Sequence, residues 1–235
     1  MITFIIPTYN LNIEFLKKCV NSILSQKTNK KYEIIIIDDC SPVNIDKKFF
    51  LNKKIKILRN NINKGISYSL NLGIRHAKGD YICWISYDDY IFSSKIEVQL
   101  NYMKIMNLDI SYHSYFVNFE EDNFFKKEGS DIIFSKNPEN YKELIKKECF
   151  INGSTVMMKK KAFDKIGVFN EELVFNQDWD FWIRALNHPD IKSFGIQEIL
   201  GVRTEHKSNL SNKILLNDKA SIIQKIKENN IMRVA

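Results

Sequence analysis

Two short runs of strand-forming residues each end in a pair of aspartates, and this repeated arrangement constrains the fold more than anything else in the chain. Ile34-Ile35-Ile36-Ile37 runs into Asp38-Asp39, and Tyr81-Ile82-Cys83-Trp84-Ile85 is followed by Ser86-Tyr87-Asp88-Asp89. Short Ile-rich runs alternating with helical patterns predict parallel strands buried on both faces. In open α/β sheets, ligands gather at the carboxyl ends of such strands. Adjacent carboxylates repel each other there, so the arrangement gains when something cationic arrives. A divalent metal carrying a phosphorylated ligand meets that need, because hard cations prefer oxygen ligands and share them with phosphates. The chain therefore reads as an enzyme that handles a metal-bound nucleotide.

The spacing of the elements supports an α/β architecture. A first strand is predicted at about Ile2 to Pro7. Between Ile13 and Ser25, Leu16, Cys19, Val20, Ile23 and Leu24 form one apolar helical stripe. Strands follow at Tyr32 to Ile37 and Ile55 to Leu58, then a helix from about Gly65 to Ala77, then a strand from Tyr81 to Ile85. This rhythm argues for right-handed crossovers in a nucleotide-binding half, residues 1–106. Ser94 and Glu97 have the spacing of a capping box opening a helix from Lys95 to Met106. Ile110 to Phe119 is an aromatic-rich strand, and residues 120–140 form a loop or hairpin excursion. Ser154 to Met158 reads as a strand, Lys160 to Ile166 as a short helix stopped by Gly167, and a further helix starts near Asp178 with Trp179, Trp182, Ile183 and Leu186 as its core stripe. Residues 107–206 make up a second half of the same domain. Residues 207–235 read as a basic tail or helix, with Leu216, Ala220 and Ile223 at amphipathic spacing.

Composition excludes several classes. The chain has 235 residues, 44% of them hydrophobic, which suits one globular domain and argues against disorder. No stretch approaches the roughly 18 apolar residues that span a bilayer, and the start of the chain reads as a strand rather than a signal peptide. Cys19, Cys40, Cys83 and Cys149 lack metal or disulfide-framework spacing, which fits a cytoplasmic location. The net charge of +7 comes from lysines spread along the chain, with no nucleic-acid signature.

Several residues carry candidate chemistry. Asp39 could accept a nucleobase N–H and Tyr9 could stack on a base; a solvated strand end and a core edge are the plainer alternatives. Asp88 and Asp89 could hold a metal that bridges two phosphates and neutralises charge on a departing diphosphate, against a simple helix-entry or turn role. Asp178 stands at a predicted helix start, as either a cap or a general base. Arg203-Thr204-Glu205-His206 is a polar segment past the last strand signal that could fold over phosphates. No dinucleotide fingerprint, phosphate-binding P-loop or G-x-S-x-G elbow is present.

The order of these segments resembles the family 2 glycosyltransferases. The resemblance rests on Pro7-Thr8-Tyr9-Asn10, Ile36-Ile37-Asp38-Asp39-Cys40-Ser41, Asn63-Lys64-Gly65 with Asn71-Leu72-Gly73, Gly79-Asp80-Tyr81-Ile82 leading to Asp88-Asp89, and Gln177-Asp178-Trp179-Asp180-Phe181-Trp182-Ile183-Arg184. It implies a GT-A fold, that is, a Rossmann-like, mostly parallel sheet flanked by helices with a C-terminal acceptor-binding part. It also implies a nucleotide-sugar donor, Mn2+ or Mg2+, and inversion at the anomeric carbon. On that resemblance Pro7, Tyr9, Asp39, Asn63, Gly65, Tyr87, Asp88 and Arg203 contact the donor, Asp88 and His206 hold the metal, and Asp178 is the catalytic base. Ser86 and Gln177 depart from the family pattern, which usually has an acid at each of these positions.

The expected function is metal-dependent transfer of a hexose from a nucleotide-sugar, a UDP-sugar by family habit, to a hydroxyl of a glycan or lipid-linked acceptor. Bacterial cell-surface polysaccharide or lipooligosaccharide synthesis is the expected setting. The basic tail leaves room for peripheral contact with the inner face of the membrane. The alternatives are a sugar-phosphate nucleotidyltransferase and an impaired nucleotide-sugar-binding module.

Overall fold

The computed structural model describes residues 1–119, the backbone of 124–128, and 141–206. The predicted tail helix at Leu216, Ala220 and Ile223 lies outside the described residues. A single sheet runs through the molecule. Its strands are β1 (Ile2–Thr8), β2 (Tyr32–Asp38), β3 (Ile55–Arg59), β4 (Tyr81–Trp84), β5 (Tyr90–Ile91), β6 (Ile110–Phe119), β7 (Phe124–Glu128), β8 (Met157–Lys159) and β9 (Ser193–Glu205). They lie in the order β3-β2-β1-β4-β8-β6-β9-β5, with β7 paired to β6. The first four are parallel: Ile2 to Thr8 register with Tyr32 to Asp38 on one side, and Ile2 to Ile5 with Tyr81 to Trp84 on the other. Beyond β4 the sheet is mixed, with β8 antiparallel to both β4 and β6, and β9 parallel to β6.

Strand alternation explains the layers. In β1 and β2, Phe4, Ile6, Ile34 and Ile36 face one side, where helix α1 (Ile13–Leu24) sets down Leu16, Cys19, Val20 and Ile23. Helix α3 (Lys95–Ile105) adds Ile96, Leu100 and Met103 to that layer. Ile5, Ile35 and Ile37 face the other side and meet Leu70 and Ile74 of α2 (Ile66–His76). The short α4 (Tyr141–Lys147) and α5 (Phe163–Ile166), and the longer α6 (Gln177–Asn187), complete this second layer. Each such aliphatic side chain contributes about 1.5–3 kcal/mol on full burial, which is why two Ile-rich strands need a helix on each face.

Pro7 sits inside β1 without cost. Its missing N–H would face β4, but the β1–β4 ladder ends at Ile5 and Trp84, so no bond is lost.

Three expectations from the sequence are corrected. Ser94 makes no side-chain cap bond, and Glu97 accepts from the Thr28 hydroxyl instead of closing a capping box. Ser154 and Thr155, expected as the start of a strand, lie in a 3-10 turn (Gly153–Thr155) before the three-residue β8. Arg203 and Glu205 belong to β9, a strand of thirteen residues, rather than to a segment beyond the last strand.

Candidate active site

The strand order reverses direction between β1 and β4, and β1, β2 and β4 are parallel, so their carboxyl ends share one edge. Tyr9, Asp38-Asp39 and Ser86 to Asp89 therefore emerge side by side, at the crevice where open α/β sheets bind ligands. With strands spaced about 4.8 Å apart, the ends of β2 and β4 lie on the order of 10 Å apart, a span that suits a nucleoside diphosphate.

The two acidic pairs solve their repulsion differently. Asp38 turns inward, forms an ion pair with Arg59 and accepts the Ser41 N–H at 2.9 Å; Arg59 also reaches the Ser41 carbonyl at 2.8 Å. The cation expected at this pair is thus a side chain of the protein. Asp39 is buried, and its carboxylate accepts from Asn60 Nδ2 at 2.7 Å and from the backbone N–H groups of Lys64 at 2.9 Å and Gly65 at 2.7 Å. Asn63 adds a second acceptor for the Gly65 N–H at 3.1 Å. Gly65 opens α2 at φ +85°, ψ 167°, a conformation open almost solely to glycine. Asp39 therefore organises the loop into α2. Beside it the Asp39 N–H bonds the Thr8 carbonyl at 2.8 Å, which places Tyr9, half exposed, next to this loop.

At the end of β4, Asp89 is buried and braces three segments. It accepts from the Ser154 hydroxyl at 2.5 Å and the Thr204 N–H at 3.0 Å, while Ser154 Oγ accepts the Ser86 N–H at 3.0 Å. Burial, reinforced by the Asp88 charge, pushes the Asp89 carboxyl up to about 7. Asp88 lies 3.1 Å from His206 Nε2, and the His206 ring stacks on Phe15 with centroids 5.0 Å apart. Burial raises the Asp88 carboxyl, and His206 and Arg203 pull it down. Tyr87 packs against the α1 layer and hydrogen-bonds the backbone of Asn12; burial, with the Asp88 charge, raises its phenol.

The third acidic element divides. Asp180 pairs with Arg184 at 2.8 Å, and Arg184 also holds the carbonyls of Ile166 and Val168. Asp178 does not cap the helix, because Asn176, with φ 56°, stands at the cap position. Its carboxylate accepts the Trp179 N–H at 2.9 Å, and burial raises it while Arg203 draws it down. Arg203, held by Glu205 and Tyr115, thus feels or influences Asp88, Asp89 and Asp178 together. One guanidinium on β9 is coupled electrostatically to acids of the segment after β4 and of α6.

The structure brings Asp88, Asp178, Arg203 and His206 into one electrostatic neighbourhood, and gathers Pro7, Tyr9, Asp39, Asn63 and Gly65 along the same sheet edge. The sequence reading missed Ser154 and Tyr115, which hold Asp89 and Arg203 in place, and Asn60, which holds Asp39; Thr204 lay in the polar segment it singled out, but its backbone bond to Asp89 was not foreseen. It also missed Phe15 under His206. None of these carries a motif, and their role comes only from position.

Comparison with known proteins identifies the family. The profile of Glycosyl transferase family 2 matches residues 3–167. The chain belongs to that family. The matched span includes Asp39 and Asp88 and ends before Asp178. An uncharacterized glycosyltransferase of Rickettsia conorii is 33% identical over 189 residues, covering 78% of this chain and 31% of that protein. The UDP-Glc:alpha-D-GlcNAc-diphosphoundecaprenol beta-1,3-glucosyltransferase WfaP of Escherichia coli is 33% identical over 195 residues, covering 80% of this chain and 70% of that protein. The chain spans about a third of the length of two Rickettsia relatives and 58% of two others. Residues 1–349 of S. aureus TarS, solved in complex with UDP-GlcNAc, superpose with a TM-score of 0.71 at 18% identity, covering 98% of this chain and 66% of that one. That likeness shows the GT-A fold. Among the described residues no helix is long and apolar enough to cross a membrane.

Proposed function

We propose that this glycosyltransferase moves a hexose from a UDP-sugar to a hydroxyl of a glycan or lipid-linked acceptor, with inversion in a single displacement. The observation that supports the reading is the electrostatic coupling of both Asp88, just after β4, and Asp178, on α6, to Arg203. Residues 1–106 bind the donor: Tyr9 stacks on the base, and the loop built on Asp39, Asn63 and Gly65 receives it, with Pro7 and Tyr87 completing the wall. Residues 107–206 supply Asp178 and Arg203 and shape the acceptor side. Asp178 takes the proton from the attacking hydroxyl, and its raised pKa makes it a better base than an ordinary aspartate. Arg203 faces the charge of the departing diphosphate.

A metal fits the donor set. Among the described residues no group of three or more His, Cys, Asp or Glu could hold an ion unaided. Asp88 and His206 together offer a carboxylate oxygen and an imidazole nitrogen, so Mn2+ or Mg2+ would be held by these two with donor phosphates completing the shell. Bound there, the ion supplies Lewis-acid neutralisation of the leaving diphosphate.

The activity for which WfaP is named supports a lipid-diphosphate acceptor, and hence work at the cytoplasmic membrane face for cell-surface polysaccharide synthesis. The test is release of UDP from a panel of UDP-sugars, with a GlcNAc-diphosphate-lipid acceptor, with Mn2+ and after chelation. Asp178→Asn should keep UDP binding and lose about 10²–10⁴-fold in transfer. Near-wild-type turnover in that variant refutes the base, full activity after exhaustive chelation refutes the metal, and release of pyrophosphate instead of UDP refutes the reaction.

A further inference from the structure

Trp84 and Trp182 form the physical link between the two halves of the site. Their rings stack at 5.2 Å between centroids and 8° between planes. Trp84 is on β4, four residues before Asp88, and Trp182 is on α6, four residues after Asp178. Positions four apart on a helix lie one above the other on the same face, so Asp178 stands one turn along from the stacked ring. The Trp84 indole is wedged on its remaining sides. Phe169 meets it edge-on at 5.2 Å and Phe181 at 6.4 Å. A Cβ on Gly153 would lie 2.1 Å from Trp84 Nε1, so the 153–155 turn, whose Ser154 holds Asp89, rests directly against the ring. One indole thus touches the helix of the base and the turn that braces the acidic pair.

We infer that the Trp84–Trp182 stack is a spacer that sets the distance from Asp178 to the diphosphate-binding carboxylates, and that both tryptophans are positioning residues for transfer. The inference rests on the roles given above to Asp178 and Asp88. Close-packed interiors transmit displacement rather than absorb it, so a thinner or narrower ring on either element moves α6 relative to β4. Trp182 Nε1 is buried with no hydrogen-bond partner among the described residues. A hydrogen bond therefore does not explain the indole at 182, and a phenyl ring there removes an unpaired donor.

Trp182→Phe separates positioning from stability. Its melting temperature and UDP affinity should stay close to those of the wild type, while kcat for transfer falls about 10- to 100-fold, since a displacement near 1 Å can cost on the order of 10²-fold. Trp84→Phe probes the same contact from the β4 side and should give the same split between kcat and donor binding. In an Asp178→Asn background, Trp182→Phe should add little further loss, because its effect passes through the base. An unchanged kcat in folded Trp182→Phe overturns the inference, as does an equal loss in the Asp178→Asn background. If Asp178→Asn itself transfers normally, the base assignment fails first; if it is inactive and Trp182→Phe is fully active, only the spacer fails.

Discussion

Replacing Asp39 by asparagine tests whether this carboxylate builds the donor loop. It accepts three N–H groups: Asn60 Nδ2 and the Lys64 N–H on one oxygen, and the Gly65 N–H on the other. An asparagine keeps one acceptor. The better orientation leaves its oxygen toward Asn60 and Lys64, because the reverse sets an amide against two donors. Its NH2 then opposes the Gly65 N–H, and a bond to a charged group, about 1.5–3 kcal/mol, is lost while two others weaken. The expected destabilisation is about 2–3 kcal/mol, which for a domain of this size lowers Tm by roughly 5–10 °C. The loop also loses its anchor at the start of α2, so UDP affinity by calorimetry should fall tenfold or more. Denaturant unfolding within about 0.5 kcal/mol of wild type, together with unchanged UDP binding, would refute the reasoning at both levels.

The pH profile of transfer should reflect Asp178. Burial raises its folded-state pKa, so kcat should climb with pH through that raised value rather than in the ordinary aspartate range; an acid limb at ordinary aspartate pH would remove Asp178 as the base. The same shift means the folded state holds this proton more tightly than the unfolded chain, so the stability it contributes is lost as pH rises between the two pKa values. Activity and this stability term therefore move in opposite directions. Arg203→Gln removes the charge that draws Asp178 down and should move the acid limb of kcat to higher pH, whereas an unmoved limb would show that the two do not communicate. Gly65→Ala meets no atom within 4 Å, so its cost is backbone strain alone, about 1–3 kcal/mol by denaturant unfolding, and no loss would show that the loop relaxes freely.

Much of the fold was legible because its first hundred residues obey simple periods. Ile34 to Ile37 are buried on both faces, and the stripe Leu16, Cys19, Val20, Ile23 is the buried face of α1. Strand β6 was also readable as an aromatic-rich run. Strand β9 was not, because its register against β6 shifts between His113 and Ser114 and again between Ser114 and Phe116. Such irregularity breaks the alternation that marks a strand. Helix α4 buries a single residue, Ile145, so it carries no amphipathic signal. Two-residue β5 exists only because β9 pairs with it.

The candidate site was legible in its acids and illegible in their environment. Asp38-Asp39 and Asp88-Asp89 look alike in sequence, each a pair after a buried run. Inside the protein the first pair has an arginine and four N–H donors, from Arg59, Ser41, Asn60, Lys64 and Gly65, all at least three residues away along the chain. The second pair has a hydroxyl, backbone N–H groups, an imidazole and the more distant Arg203 charge, and burial still pushes Asp89 up to about 7 and raises Asp88. A raised carboxyl pKa means that the local environment leaves negative charge under-compensated. An arriving cation therefore gains most at Asp88-Asp89 and little at Asp38-Asp39. The difference between the two pairs lies in which distant residues the fold brings to each, and that is the part of the candidate site that strand and helix periodicity cannot encode.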